Sequence, residues 1–262
     1  MRALVGKTIV IMGGTTGLGL SAARALSEEG ARLVLVGRTP EKIEAAIEEL
    51  TDEVACGFEG DATEPETAAD AIECALHEFG GFDGLYHVAG GSGRGMGDGP
   101  LHELTDDGWE YTLDLNLTSV FYSNRAAVRK LLELDRPGAI LNMGSVLGQS
   151  PSPRYFSTHA YATSKAAIIG LSRTTAAHYA EENIRCNVLA PALVETPMSE
   201  RAQSNPDIMR FIKTKQPLDG GRIGHPTDLD AATVFLLSDQ SRFVTGQVLY
   251  VDGGWSLSEG QF

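Results

Sequence analysis

The stretch Thr8-Ile-Val-Ile-Met12, followed by Gly13-Gly-Thr-Thr-Gly17-Leu-Gly19, decides the fold of this chain. Its first five residues are apolar or β-branched, which predicts a buried strand, and the residues after the glycines have helical periodicity. Glycine permits a tight turn and lets backbone N–H groups approach an anion at the start of a helix. Between a first strand and a first helix, this turn predicts a dinucleotide-binding unit. A purely structural turn is the alternative.

The same alternation of short apolar runs and amphipathic stretches continues along the chain. Strands are predicted at Thr8–Met12, Arg32–Val36, Glu53–Phe58, Gly84–Val88, Ala139–Met143, Arg185–Leu189 and Gln247–Val251. Helices are predicted at Leu18–Glu29, Pro40–Leu50, Pro65–Phe79, Trp109–Leu134, Ala160–Ala180 and Thr227–Ser238. Apolar strands separated by helices predict a parallel sheet buried on both faces. We therefore expect a doubly wound, Rossmann-like α/β fold with a seven-stranded sheet and a single domain over residues 1–262.

Composition excludes several classes of partner. The chain has 262 residues, 42% of them hydrophobic, and a formal net charge of −14. That charge repels phosphate backbones and anionic lipids, so we predict neither nucleic-acid nor membrane partners. No apolar run approaches the roughly 18 residues of a membrane span. The three cysteines are scattered and the six histidines do not cluster, so we predict a cytoplasmic protein without a metal site.

Two segments interrupt the alternation, and both follow predicted strands. Gly90–Gly99 contains six glycines, and the polar, Met-containing segment 195–224 is predicted to be a lid over the substrate. Both would lie at the carboxyl ends of the strands, where loops carry function. We expect the walls of a substrate pocket from Gly91–Met96, Leu147–Phe156 and Glu195–Phe211. Disordered surface loops are the alternative.

The end of the second strand bears on the choice of cofactor. An NAD-binding chain usually presents a carboxylate here, which hydrogen-bonds the ribose 2′-hydroxyl. This chain has Gly37-Arg38-Thr39 instead, and a guanidinium suits a 2′-phosphate, with the Thr15 and Thr39 hydroxyls assisting. The pattern favours NADP, with NAD as the alternative. Asp61, after the third strand, is placed to reach the adenine, or to cap the next helix.

A second candidate site lies where Ser145 precedes an aromatic loop and Tyr161 and Lys165 begin a predicted helix. Residues four apart in a helix lie on one face, so the Lys165 ammonium would lie beside the Tyr161 phenol. A neighbouring cation favours the phenolate, so we expect Lys165 to lower the pKa of Tyr161 from its usual value of about 10. Ser145 would hold a carbonyl oxygen near that phenol. A surface tyrosine and lysine are the alternative.

Further motifs follow in a fixed order. They are Gly60-Asp61, Ala89-Gly90, Asn116 within Leu115–Phe121, Ser145, Tyr161-x-x-x-Lys165, Asn187-x-x-x-Pro191 before Thr196-Pro197-Met198, and the closing Thr245–Gly254. With the first glycine turn, they make essentially the whole chain resemble the short-chain dehydrogenase/reductase family. The sequence departs from the family pattern at Met12, at His87-Val88 where Asn-Asn is usual, and at Ala192. The 16 residues from Ser145 to Tyr161 also predict an enlarged loop.

The resemblance implies a role for each site residue. The implied catalytic residues are Asn116, Ser145, Tyr161 and Lys165. Tyr161 would be the proton donor and acceptor, Lys165 would lower its pKa and bind the nicotinamide ribose, and Ser145 would hydrogen-bond the substrate carbonyl. Asn116 would hold a helix kink and a water of the proton relay. The predicted cofactor-binding residues are Gly13, Thr15, Thr16, Gly17, Leu18, Gly19, Arg38, Thr39, Asp61, Ala62, Ala89, Gly90, Gly91, Tyr161, Lys165, Pro191, Val194 and Thr196.

These features predict an NADP(H)-dependent oxidoreductase that interconverts a carbonyl and a secondary alcohol of a small molecule. One alternative is a 3-oxoacyl-[acyl-carrier-protein] reductase-type enzyme, for which Arg125, Arg129 and Lys130 would form part of a basic landing patch. Another is a non-catalytic dinucleotide-binding regulator. The resemblance also implies a homotetramer or homodimer, joined through the helices at Trp109–Leu134 and Ala160–Ala180 and through the last strand.

Overall fold

The computed structural model describes residues 2–50 and 53–261, in which strands and helices alternate. Strands β1 to β7 span Thr8–Met12, Arg32–Gly37, Ala55–Glu59, Gly84–His87, Gly138–Met143, Ile184–Pro191 and Val248–Val251. Helices α1 to α9 span Gly17–Glu28, Pro40–Leu50, Thr67–Phe79, Asp106–Leu113, Ser119–Glu133, His159–His178, Glu200–Gln203, Pro206–Lys215 and Asp230–Leu237. Each predicted strand and helix is therefore present, with boundaries that differ by a few residues.

The seven strands form one parallel sheet in the order β3-β2-β1-β4-β5-β6-β7. The direction of the strand order reverses at β1, where Val10 pairs with Val34 on one side and with Leu85 on the other. The predicted doubly wound, seven-stranded, Rossmann-like fold is confirmed. In such sheets the ligand crevice opens beyond the carboxyl ends of the strands at this reversal, between β1 and β4.

Alternate residues of each central strand enter two separate cores. Ile9 and Ile11 belong to a cluster on one face of the sheet, together with residues of α1 and α9. Val10 and Met12 belong to a second cluster, with residues of α3 and α5. All five residues of β1 are buried, because helices cover both faces of the sheet. This burial explains why the sequence of the strand is continuously apolar rather than alternating.

The long helix predicted at Trp109–Leu134 is interrupted near Asn116, where the family resemblance implied a kink. Helix α4 begins after Thr105, whose hydroxyl accepts a hydrogen bond from the N–H of Gly108, and a π turn at Asp114–Thr118 separates α4 from α5. In that turn the Asn116 side-chain amide donates to the carbonyl of Thr112 at 2.9 Å. A side-chain donor thus occupies a carbonyl of the preceding turn, and one residue bulges out of the helix.

Segment 195–224 contains two helices that the sequence pattern did not predict. Helix α8 begins after Asn205, whose side chain accepts from the N–H groups of Asp207 and Ile208, and Pro206 occupies its first position. Ile208, Phe211 and Ile212 are buried on one side of α8 and pack into a cluster with Trp255 from the C-terminal region. In the described part of the chain, no helix is long and apolar enough to cross a membrane.

Candidate active site

Three adjoining cavities lie along the carboxyl ends of the strands, and the third, which has a largely apolar wall, lies beyond Ser145 and Tyr161. The first, of about 1160 Å³, is lined by the glycine turn, the end of β2 and Gly60–Ala62, and we refer to it as the cofactor cavity. A central cavity of about 570 Å³ contains Asn116, Ser145, Tyr161 and Lys165. Leu18, Val88, Gly90, Thr196 and Met198 line both, so the two are continuous. Each residue predicted to be catalytic or cofactor-binding lines one of these two cavities.

Close backbone packing in the glycine turn leaves no room for side chains at two positions. A Cβ atom at Gly19 would lie 2.0 Å from the carbonyl oxygen of Gly13. Gly13 has φ +87°, and a Cβ there would lie 2.8 Å from the backbone nitrogen of Ala89. Thr16 precedes α1 without capping it by its side chain, and the first turn has no acidic residue. The positive end of α1 is therefore open to an anion, which fits the pyrophosphate of a dinucleotide.

At the end of β2, basic side chains face the cofactor cavity. Arg38 lies there with its side chain 68% exposed, and its Nη1 is 3.4 Å from Oδ2 of Asp61. Asp61 also accepts from the N–H and hydroxyl of Thr63 at 2.9 and 2.8 Å, so it caps the following turn as well. Lys42 lines the same cavity and was missed in the sequence. Its position in the first turn of α2, four residues after Arg38, is the signal that could have found it.

In the central cavity, Ser145 and Tyr161 lie together, and the Ser145 hydroxyl acts to lower the pKa of the Tyr161 phenol. Ser145 Oγ also accepts from the N–H of Leu147 at 3.2 Å, which holds the hydroxyl at the start of a short 3-10 turn. Tyr161 is half-buried in the first turns of α6. Two hydroxyl groups are thus directed at one point, where both could donate to a carbonyl oxygen.

Lys165 and Asn116 lie deeper and are held by backbone groups. The buried Lys165 Nζ donates to the carbonyl of Met143 at 2.9 Å and lies 5.5 Å from the centroid of the Tyr161 ring. Asn116 accepts from the N–H of Gly91 at 3.1 Å and donates to the carbonyl of the same residue at 2.9 Å. The amide of Asn116 therefore joins the π turn to the glycine-rich segment after β4.

The direction of the pKa shift at Tyr161 differs from our expectation. Burial raises the pKa of Tyr161 to about 12, and the hydrogen bond with Ser145 lowers it only in part. Burial also lowers the pKa of Lys165 to about 8, since a buried ammonium loses hydration. Lys165 donates to Met143 rather than to the phenol, so in this structure it does not lower the pKa of Tyr161 as predicted.

His87, one of the departures from the family pattern, is buried against α5. Its Nδ1 lies 2.7 Å from Ser123 Oγ and its Nε2 lies 3.4 Å from Ser119 Oγ. Both serine hydroxyls also donate to backbone carbonyls of the same stretch of helix, Ser119 to that of Leu115 and Ser123 to that of Val120. Burial, with a smaller contribution from the Lys165 charge, lowers the pKa of His87 to about 3.

Asp98, inside the glycine-rich segment, was also missed in the sequence. It is 5% exposed, and its two carboxylate oxygens accept from the N–H groups of Ala160 and Tyr161 at 3.0 and 3.1 Å. It therefore caps the start of α6 and fixes the backbone that carries Tyr161. The segment Gly90–Gly99 is consequently ordered around a charged anchor. An acidic residue within a run of glycines is the signal in the sequence that could have found it.

Comparison with known proteins identifies the family to which this site belongs. A family model described as enoyl-(acyl carrier protein) reductase matches residues 13–256, from the glycine turn to the C-terminal region. The chain belongs to the short-chain dehydrogenase/reductase family. It is an NAD(P)-dependent oxidoreductase that acts on alcohol or carbonyl groups.

Relatives of this dehydrogenase/reductase match along its full length. It is 34% identical to 3beta-hydroxysteroid dehydrogenase 1 of Eggerthella lenta, with 98% of this chain and 96% of the relative covered. It is 35% identical to 2-(S)-hydroxypropyl-CoM dehydrogenase 3 of Xanthobacter autotrophicus, with 96% and 97% covered. A short-chain type dehydrogenase/reductase from Mycobacterium ulcerans has a similar structure, with a TM-score of 0.90, 28% identity, and 99% and 94% covered.

In the described part of this dehydrogenase/reductase, no three His, Cys, Asp or Glu side chains come together as a metal site. Cys56 and Cys74 have free thiols 3.8 Å apart, and Cys186 is buried.

Proposed function

We propose that this enzyme interconverts a carbonyl and a secondary alcohol of a small molecule with NADP(H), using Tyr161 as acid and base. The observation that supports this most is the central cavity, where Ser145, Tyr161 and Lys165 meet. It shares residues with the cofactor cavity on one side and with a largely apolar cavity on the other. Bound NADPH supplies a hydride to the carbonyl carbon.

During reduction, negative charge grows on the carbonyl oxygen of the substrate. Ser145 and Tyr161 both direct hydroxyl groups at that oxygen, and their hydrogen bonds strengthen as the charge develops. The O–H bond of Tyr161 breaks and its proton completes the alcohol. With a pKa of about 12, Tyr161 holds this proton at neutral pH, as a donor must. In oxidation the same proton returns to Tyr161.

Lys165 and Asn116 act behind this pair. The Lys165 ammonium lies 5.5 Å from the centroid of the Tyr161 ring, and its hydrogen bond to the carbonyl of Met143 fixes its position beside the phenol. Asn116 holds the backbone of Gly91 and the π turn in one position, so the wall beside the substrate stays fixed. We further propose that segment 195–224 serves as the lid, since its Met198, Arg201 and Ala202 line the substrate side.

Preference for NADP over NAD is supported by the charges at the end of β2. Arg38 and Lys42 line the cofactor cavity, and Gly37 offers no carboxylate to a ribose 2′-hydroxyl. A 2′-phosphate would take the guanidinium that Asp61 now contacts at 3.4 Å, a weak and largely exposed pair. The residues that would hold this phosphate are Arg38, Lys42, Thr15 and Thr39.

The patch considered for a carrier protein is less basic than its sequence indicates. Lys130 is paired with Glu73 and Glu133, and Arg125 packs its guanidinium over the rings of Phe121 and Tyr122. Arg125 and Arg129 keep their charges, but Lys130 is neutralised and the whole chain carries a net charge of −14, so we propose a free small molecule as the substrate.

We also propose a homotetramer, or a homodimer, built on the surfaces named from the sequence. Trp109 and Phe121, on the two halves of the interrupted helix, are 37% and 42% exposed. Leu249 of β7 and Leu257 beyond it are 38% and 94% exposed. Association would remove this apolar area from water. Light scattering tests it: a mass near the 27.9 kDa of one chain would contradict the proposal.

Turnover with purified protein tests the proposed activity. We expect absorbance at the nicotinamide band to change when a panel of ketones is added with NADPH, or secondary alcohols with NADP. The carbonyl product of the alcohol reaction should be identified by mass. Cofactor binding without turnover of any member of the panel would instead support the non-catalytic regulator.

A further inference from the structure

The cavity beyond Ser145 and Tyr161 has a largely apolar wall. That wall comes from the loop after β5, from the residues directly after β6, from segment 195–224 and from the C-terminal region. Its apolar residues are Val146, Leu147, Phe156, Ala192, Leu193, Met198, Ala202 and Trp255. This composition suits a hydrocarbon body of a substrate placed next to the reacting carbonyl.

Two arginines interrupt the apolar wall. Arg94 comes from a 3-10 turn at Arg94–Met96 in the glycine-rich segment, and Arg201 comes from α7. The Nη2 atoms of both donate to a single acceptor, the carbonyl oxygen of Tyr155, at 3.4 and 3.2 Å. The two guanidinium groups therefore converge from separate segments, and each keeps further N–H donors for another acceptor.

No carboxylate within the described residues neutralises this pair. Neither arginine forms an ion pair there, although the chain carries a formal net charge of −14. The negative charge of Asp98 acts on Arg94 from beyond ion-pair distance, while its carboxylate oxygens accept from the N–H groups of Ala160 and Tyr161. Burial and then the like charge of Arg201 lower the pKa of Arg94. An anion between the two groups would relieve their repulsion and use their remaining donors.

We propose that Arg94 and Arg201 bind an oxyanion group of the substrate, so that this enzyme acts on an oxo acid or hydroxy acid with an apolar middle. The proposal rests on the proposed function, since it names the substrate class of the same site. A guanidinium presents N–H donors in a plane that matches a carboxylate, a phosphonate or a sulfonate. The apolar wall then covers the chain between the charged end and the carbonyl at Tyr161.

A structural role for the two arginines makes a different prediction. If they only tie the glycine-rich segment and α7 to the carbonyl of Tyr155, their loss disturbs charged and neutral substrates alike. If they bind an oxyanion, their loss affects the charged substrate selectively. The measured quantity is therefore the ratio of kcat/KM for a charged substrate to kcat/KM for its neutral counterpart, which is insensitive to a general loss of activity.

The test uses methyl-ketone carboxylates of increasing chain length, beginning with levulinate, each against its methyl ester, and phosphonate analogues in a third arm. We expect the parent enzyme to prefer one chain length of carboxylate over its ester by ~10-fold or more, the discrimination of one charge-assisted hydrogen bond. Arg94→Gln and Arg201→Gln should each lower that ratio by about 10-fold. Arg94→Lys keeps the charge without the planar fork and should retain part of the ratio.

Arg210→Gln is the matched control. Arg210 lies on α8 in the same segment but pairs with Asp207 at 3.1 Å and does not line the cavity, so the ratio should stay at the parent value. A phosphonate preferred over the carboxylate supports the oxyanion class and assigns the larger headgroup. Equal use of acid and ester by the parent, or a ratio that both arginine variants leave unchanged, overturns the proposal.

A binding measurement separates this proposal from the proposed activity. If the parent reduces none of the ketones, calorimetric titration with the same carboxylates and esters still reports on the arginine pair. Binding of the carboxylate that weakens in Arg94→Gln supports the oxyanion site even though the proposed reaction has failed. Turnover of neutral ketones together with no binding preference for the acids leaves the activity in place and refutes the oxyanion site.

Discussion

The cofactor cavity and the largely apolar cavity lined by Arg94 and Arg201 both lie at the carboxyl ends of the strands, yet they are built differently. Around Gly13–Gly19 the backbone forms the wall, and added Cβ atoms would collide with neighbouring backbone atoms. Around Arg94 and Arg201 the wall consists of long side chains from segments far apart in the sequence. A wall of backbone can accept few substitutions, whereas a wall of side chains can change its chemistry and keep the fold. The difference teaches why one scaffold can keep its cofactor and vary its substrate.

The largest effect is expected between the two cavities, at Tyr161. Tyr161→Phe removes the proton donor while keeping the ring, so kcat should fall by at least ~100-fold, as is typical for the loss of a general acid. Cofactor affinity should stay close to that of the parent, because the glycine turn is untouched. Tyr111→Phe, at an exposed position of α4, is the matched control for a lost hydroxyl. Near-normal turnover of Tyr161→Phe would refute the proposed role.

The contrast between the two cavities is tested by adding one methyl group to a glycine beside each of them. Gly19→Ala puts a Cβ 2.0 Å from the carbonyl oxygen of Gly13, and overpacking of this kind costs about 1–3 kcal/mol. We expect cofactor affinity or folding stability to fall accordingly, by calorimetry and thermal unfolding. Gly95→Ala, in the substrate-side glycine run, meets no heavy atom within 4 Å and should change both little. Equal effects at the two positions would contradict the contrast drawn above.

The glycine turn of the cofactor cavity could be predicted from the sequence, whereas the contact between Arg94, Arg201 and Tyr155 could not, for a physical reason. The glycine turn, β1 and α1 are contiguous, so strand periodicity and the glycine spacing determine where Gly13 and Gly19 lie. The convergence of Arg94 and Arg201 on Tyr155 depends on how the loops after β4, β5 and β6 pack together. No local pattern encodes such a contact. From the sequence, both arginines could be assigned to segments that line the substrate pocket, but their contact with the same carbonyl could not be predicted.

The prediction that Lys165 lowers the pKa of Tyr161 was wrong for a related reason. Spacing in a helix places Lys165 on the same face as Tyr161, and that much is local. Whether the ammonium donates to the phenol or to the carbonyl of Met143 depends on the depth of burial and on β5, and these are properties of the whole fold. The π turn at Asn116 combines both kinds of contact, since its amide donates to the carbonyl of Thr112, four residues before it, and to that of Gly91, 25 residues away.

His87, beneath the central cavity, gives a prediction that depends on pH. The pKa of this imidazole is near 6.5 in an unfolded chain and about 3 in the folded protein, so the unfolded state binds a proton that the folded state excludes. The contribution of the neutral His87 ring to the free energy of unfolding is complete above pH 6.5 and is lost progressively as the pH falls from 6.5 to 3. At pH 5 the loss should be about 2 kcal/mol in the free energy of unfolding.

Urea unfolding between pH 7.5 and pH 5 checks this loss. In His87→Asn the residue that titrates is gone, so the decline in stability should be smaller than in the parent by about 2 kcal/mol, whatever the constant cost of the smaller side chain. His102→Asn, at an exposed position, controls for the loss of an imidazole. Parallel declines in the parent and in His87→Asn would show that this buried ring does not set acid sensitivity.

The smallest effect is expected at Arg38, because its side chain is 68% exposed and solvent screens its charge. Arg38→Asp exchanges a phosphate donor for a carboxylate that accepts from a ribose hydroxyl, so the ratio of kcat/KM for NADP to that for NAD should fall by about 10-fold. Arg24→Asp, on α1 outside the cofactor cavity, is the matched charge reversal. A parent enzyme that already prefers NAD would show that the residues at the end of β2 do not act as proposed.

The π turn at Asp114–Thr118 also has a consequence for how insertions and deletions can be accepted. A residue added to or removed from an α-helix rotates everything beyond it by about 100° about the axis. On one side of the turn, α4 packs against α6 and the glycine-rich segment, and on the other α5 packs against α3 and β4. Deleting one residue would restore regular helical hydrogen bonding but would rotate one half away from its neighbours. The extra residue of the π turn thus sets the rotation of α5 relative to α4 about the helix axis, so that each helix presents its apolar side to its own neighbours.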